Sequence, residues 1–150
     1  MNVHIFDQQH DLTIATEQVR AIVQQVITGE GGGCDEVAVH FVGIQQISSL
    51  HQRFFNDASP TDCLSFPIDS PNEEGYCVLG DAFICPKVAL EYANENHEDP
   101  YEEITRYLVH SLLHLLGYDD QGPREAEMRR AEDRYMKQLM QRNLLLKKPS

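Results

Sequence analysis

The stretch that most constrains the fold is PYEEITRYLVHSLLHLLG, residues 100–117. Pro100 suits the first turn of a helix, where its missing amide costs nothing, and Gly117 suits the stop, where the chain takes a left-handed turn. Between them Ile104, Leu108, Ser111, Leu112 and Leu115 recur at helical spacing. Such a helix carries a stripe that faces the core and has to be covered by the rest of the chain.

The remaining pattern supplies that cover. VHIFD (3–7) alternates as a short strand, and TEQVRAIVQQVI (16–27) sets Val19, Ile22, Val23 and Val26 at helical spacing after Thr16, a cap candidate. EVAVHFVG (36–43) reads as a strand and IQQISSLHQRFF (44–55) as a helix, with packing into the core expected of at least one of Phe54 and Phe55 at its end. CLSFPID (63–69) and YCVLGDAFIC (76–85) are strand-like runs joined by the turn-rich SPNEEG. That arrangement predicts a hairpin with a long loop, whose first strand is an edge strand ended by Pro67. PKVALEYANEN and GPREAEMRRAEDRYMKQLMQRNLLL (122–146) add helices, each opened by a proline. The order β-α-β-α-β-β-α-α-α predicts one α+β domain spanning residues 1–150, a small mixed sheet of about four strands covered by about five helices.

Composition narrows the class. No apolar run approaches the ~20 residues of a membrane span. The start, MNVHIFDQQHDL, lacks the basic-then-apolar pattern of an export signal. The expectation is a cytoplasmic protein that does not enter membranes. Cys34, Cys63, Cys77 and Cys85 form no C-x-x-C pair and are expected as free thiols packed like small hydrophobes. The net charge of −12 argues against indiscriminate nucleic-acid binding, which relies on clustered Lys and Arg. Residues 1–120 carry only Arg20, Arg53, Lys87 and Arg106 against twenty acidic side chains, whereas residues 121–150 carry eight basic against four acidic. The split marks the last helix either as a local docking surface or as a solvated, arginine-rich face.

The end of the long helix holds the candidate chemistry. In HSLLHLLGYDD (110–120) the two histidines lie four apart, which places them roughly 40° apart in angle and ~6 Å apart along the axis, able to converge on one ion beside the helix. After Gly117 turns the chain back, Asp119 or Asp120 can add a carboxylate oxygen. Two nitrogens and one oxygen leave an open fourth position, the arrangement of a catalytic zinc. The glutamate that a zinc peptidase carries after its first histidine is replaced by Ser111, so the general base of peptide hydrolysis is absent. Phosphodiester hydrolysis, in which a metal polarises a phosphoryl oxygen directly, fits the pattern better.

These residues carry a family resemblance. HSLLHLLGYDD resembles the H-x-x-L-H-L-x-G-Y-D signature of the YbeY family of bacterial zinc endoribonucleases, SPTDCLSFPID its P-T-D-V-L-S-F-P element, and LGDAFIC its L-G-D-I-x-I strand. The resemblance implies a single-strand-specific, zinc-dependent endoribonuclease that acts in the maturation of the small-subunit ribosomal RNA 3′ end and in ribosome quality control. It also implies partners: the ribosomal RNA, the small subunit, ribosomal proteins and an assembly GTPase. One zinc ion per chain is expected on His110, His114 and Asp120, in a monomer. Asp120 stands where the family has a third histidine, and its charge should make the ion a weaker Lewis acid. Asp119 matches the family's own aspartate and serves as orienting group or competing ligand. A basic residue that many members have five positions before the proline is here Phe55, which leaves Arg53 as the candidate catalytic cation. Ser65 and Phe66 are candidates to contact an unpaired base, Lys87 is a candidate phosphate contact, and Asp81 is expected to be structural. The basic face of the last helix, including Arg124, Arg129, Arg130, Arg134, Lys137 and Arg142, would guide RNA. The alternative is a ribosome-assembly binding factor with a mainly structural metal and little or no nuclease activity.

Overall fold

Alternation and helical periodicity build ten elements in the computed structural model, which describes residues 1–150. Strands β1 (Asn2–Gln8), β2 (Glu36–Val42), β3 (Cys63–Pro67) and β4 (Val78–Ile84) form one sheet in the order β1-β2-β4-β3. β1–β2 and β2–β4 are parallel and β3–β4 antiparallel, so the sheet is mixed, as expected. The parallel pairs require crossovers, and α1 (Thr16–Gly29) makes the first. After β2 the chain runs through α2 (Ile44–Phe55) to β3 at the sheet edge, and only then returns as β4 beside β2.

One sheet face is the core. Val37, Val39 and Phe41 of β2, with Ala82 and Ile84 of β4, are fully buried. They cluster with Val19, Ile22 and Val26 of α1 and with Ile104, Leu108 and Leu112 of α4 (Pro100–Leu115). The end of α4 comes close to the β3–β4 hairpin because Gly80 lacks a side chain: a Cβ there would lie 2.4 Å from the Phe66 carbonyl oxygen and 2.9 Å from Leu115. Helix α3 (Pro86–Asn96) precedes α4, a single 3-10 turn (Gly122–Arg124) follows it, and α5 (Glu125–Gln141) packs on it through Met128, Ala131 and Tyr135.

Three expectations need correction. Thr16 is the first residue of α1 and not its cap; Ala15 stands before it and makes no side-chain capping bond. The last helix stops at Gln141 instead of running to 146. Asn143 takes φ 56°, the Leu144 amide bonds back to Leu139, and Leu146 turns into the core with its amide on Thr105 Oγ1. Phe54 and Phe55 are 56% and 54% exposed. The buried side of α2 is Ile47, and the two phenylalanines lie past it on the rims of surface cavities. All four cysteines are free, and no helix is long and apolar enough to cross a membrane.

Candidate metal centre

The site is assembled by the way α4 ends. Gly117 adopts φ 103°, a conformation that other residues reach only with strain. The Tyr118 amide then bonds to the Leu113 carbonyl at 3.0 Å and the Gly117 amide to His114 at 3.1 Å. This paired closure satisfies the last helical carbonyls and reverses the chain, which carries Asp120 back towards the histidines. Asp119 accepts a bond from the Gln121 amide at 3.0 Å and holds the turn.

His110 Nε2 and His114 Nε2 lie 3.2 Å apart. Asp120 Oδ2 lies 3.3 Å from His114 Nε2 and 3.5 Å from His110 Nε2. Three ligands on a tetrahedral ion, each at about 2.0–2.1 Å, would be spaced about 3.3–3.4 Å from one another. The three atoms therefore have the spacing such an ion requires, with Asp120 and not Asp119 as the third corner.

The partners on the far side of each ring set the tautomers. His114 Nδ1 faces the Tyr118 carbonyl at 3.1 Å, and a carbonyl only accepts, so Nδ1 carries the proton. His110 Nδ1 faces Glu132 Oε2 at 2.8 Å, so there too the proton belongs on Nδ1. In the neutral rings both Nε2 atoms then present lone pairs to each other and to a carboxylate oxygen. A cation at their centre would relieve that repulsion, and two imidazole nitrogens with a carboxylate oxygen are a donor set that zinc accepts. Glu132 also accepts from Arg106 Nη1 at 2.8 Å. Burial works against ionisation of Glu132, yet the bonds from His110 and Arg106 prevail and lower its pKa. Burial likewise opposes protonation of His110, but the hydrogen bond and charge of Glu132, with Asp62 and Asp120, raise its pKa.

Ser111 faces away from this cluster. It is fully buried, its hydroxyl 2.6 Å from Ser65 Oγ and 3.3 Å from the Leu64 carbonyl it donates to. The position that would hold a peptidase's glutamate instead fastens α4 to β3. The ligands open onto a cavity of about 600 Å³ whose walls include Phe55, Asp62, Ser65, Tyr118 and Arg124. Burial, followed by the charge of Asp62, holds the neighbouring Cys63 thiol well above its ordinary pKa.

The other expected site residues are dispersed. Ser65 lines the metal cavity, whereas Phe66 lies on the opposite face of β3. Arg53 does not enter the metal cavity; its guanidinium lies 5.6 Å from the Phe54 ring centroid, and it lines a second cavity with Phe66, Asp81 and Phe83. Lys87 lines a third, with Asp11 and Ile44. Asp81 engages His40 Nε2 at 2.9 Å. Sequence reasoning missed Glu132. The available signal was its place beside Ala131 on the buried Met128–Ala131–Tyr135 stripe, where an acid needs a partner.

These features define a small α+β domain with a three-ligand candidate metal centre at the end of its central helix. Comparison with known sequences agrees and is more specific: the family model described as Endoribonuclease YbeY matches residues 4–140. The chain belongs to that family. It is 45% identical over 146 residues to the endoribonuclease YbeY of Protochlamydia amoebophila, covering 97% of each chain. Its identity to that of Chlamydia abortus is 38%, covering 97% of this chain and 96% of the relative. The solution structure of a Thermotoga maritima protein shares the fold, with a TM-score of 0.67 at 23% identity over 94% of this chain and 91% of that one.

Proposed function

We propose that the chain is a zinc-dependent endoribonuclease, one hydrolase domain over residues 1–150, that cuts single-stranded RNA. Its role would be in small-subunit ribosomal RNA 3′-end maturation and ribosome quality control. It would work in the cytoplasm as a monomer alongside the small subunit, ribosomal proteins and an assembly GTPase. The observation that carries this reading is the triangle of lone pairs from His110, His114 and Asp120 facing an open cavity. Family membership supports it: the curated relatives bear the name endoribonuclease.

A zinc ion held there would supply a Lewis acid for a phosphoryl oxygen and lower the pKa of water at its open position. The chain's own groups do the rest. Glu132 and the Tyr118 carbonyl hold the imidazoles in one tautomer and orientation. Arg124 is the cavity's one arginine or lysine and is the group to grip a phosphate oxygen. Phe55, exposed at the rim, offers a stacking face to an unpaired base.

The test is cleavage of single- and double-stranded oligoribonucleotides by protein with and without metal. Cleavage of the single strand only, abolished by chelator and by His114→Ala and restored to the wild type by zinc, supports the proposal. Cleavage that survives both treatments overturns it. A second reading, an assembly factor with a structural metal, is favoured by Phe55 at the position where a cation is usual and by the acidic Asp62 and Asp119 in the cavity wall. It predicts a metal-loaded wild type that binds precursor subunits and cuts nothing.

A further inference from the structure

The sheet face opposite the core carries a continuous row of rings. Phe6 of β1, His40 of β2 and Phe83 of β4 are register neighbours. They stack with centroids 4.9 and 4.2 Å apart and planes within 17° and 9°. Phe66 meets Phe83 edge-on at 5.6 Å, Phe54 meets Phe66 at 5.0 Å, and Phe55 lies 6.2 Å from Phe66. Phe55 also lines the metal cavity, so the row reaches the candidate catalytic centre around the edge strand β3.

Near that end the row opens into a cavity of about 440 Å³ lined by Leu50, Arg53, Phe54, Phe66, Asp81 and Phe83. Its chemistry is that of a base pocket. Phe54, Phe66 and Phe83 supply ring surface, and Phe54 is more than half exposed. Asp81 engages His40 through Oδ1, which leaves Oδ2 to accept hydrogen bonds from an occupant. Arg53, one of four basic residues among the first 120, lies over the Phe54 ring with its charge available to a phosphate. A half-buried carboxylate beside an arginine and three rings suits a planar, amino-bearing heterocycle linked to an anion better than it suits an aliphatic side chain.

We propose that this cavity is a subsite for an unpaired nucleobase with an exocyclic amino group, on the RNA strand that passes from the metal centre around β3. The proposal rests on the endoribonuclease reading for its substrate, and it assigns the strand's path. Phe54 and Phe66 hold the base by stacking, Asp81 accepts from its amino group, and Arg53 binds the adjacent phosphate. The sequence SFP thus divides its work between two faces of one strand: Ser65 towards the metal and Phe66 towards the base.

The test is equilibrium binding of fluorescent single-stranded adenosine, cytidine and uridine dodecamers to the full chain in the presence of chelator, so that no cleavage enters the readout. Adenosine and cytidine oligomers should bind more tightly than uridine. Phe54→Ala should weaken adenosine binding roughly 5- to 100-fold, the loss of one stacking platform. Asp81→Asn should remove the preference over uridine. Arg53→Gln should lower the slope of log affinity against log salt by about 0.7, one phosphate contact. Each variant must keep the wild-type melting temperature within a few degrees, which exposed Phe54 and Arg53 are placed to do. Equal binding of all three oligomers to wild type, Phe54→Ala and Arg53→Gln overturns the subsite, and so does failure to bind any of them, which would point to a protein side chain as occupant. Because the chelated protein is used, a nuclease reading that failed for want of cleavage would leave the binding result standing.

Discussion

At the scale of single residues, the candidate site is set by where protons cannot be. The Tyr118 carbonyl and the Glu132 carboxylate each accept a hydrogen bond from the Nδ1–H of a histidine, which leaves the two Nε2 lone pairs free to bind a metal. Removing the charge of Glu132 while keeping its shape should therefore loosen the metal without unfolding the chain. Glu132→Gln is expected to lower zinc affinity about 10- to 100-fold, measured by competition with a chromophoric chelator. An unchanged affinity would mean that Glu132 only packs. His110, His114 and Asp120 were legible because one helix and its stop bring them together within eleven residues of sequence. Glu132 was not, because it arrives from another helix, and its pairing with Arg106 and His110 depends on the packing of α5 on α4. Phe54 and Phe55 misled because apolar character predicts burial in general and says nothing of which helix face a neighbour covers.

At the scale of elements, α4 is the platform and its contacts with the hairpin fix the site. Ser111 and Ser65 join α4 to β3 in the buried space behind the ligands. Restoring a peptidase-like glutamate by Ser111→Glu should not create a base at the metal. It should bury a carboxylate without a partner and cost about 3 kcal/mol or more, seen as a large fall in melting temperature. A stable variant with new peptidase activity would contradict the geometry. A second tie joins α1, the metal turn and α5: Tyr118 and Tyr135 both donate to Glu30, and Arg134 reaches the same carboxylate at 3.2 Å. Burial first, then the bond to Glu30, pushes the Tyr135 pKa up to about 12. A pKa raised on folding means stability that is intact below the unfolded value near 10 and is lost as pH climbs from there through about 12. Thermal melts across that window should fall for the wild type and fall less for Tyr135→Phe. The strands and helices themselves were readable from period and punctuation, and the early stop of α5 was not. What ends it is the pull of Leu146 into the core against Thr105, a tertiary demand that overrides helical pattern.

At the scale of the whole molecule, the charge split seen in sequence persists, but part of it is spent internally. Arg129 pairs with Glu125 and Arg134 with Glu30, while Arg124 faces the metal cavity. The parallel order of β1, β2 and β4, with β3 outside them, places the core on one face and the ring row on the other. Pattern alone predicted the mixed sheet without this strand order, because alternation reports which residues share a face and not which strands are neighbours. The metal centre and the aromatic cavity lie on either side of the edge strand, as the two functional proposals require. The nuclease reading depends on the cluster at the end of α4 being a metal centre, and metal content is the direct test of it. Elemental analysis of chelator-free protein should find about one zinc per chain in the wild type, the stoichiometry of a single three-ligand site, and almost none in His114→Ala or Asp120→Ala. A well-folded wild type that carries no metal and takes none up would contradict it.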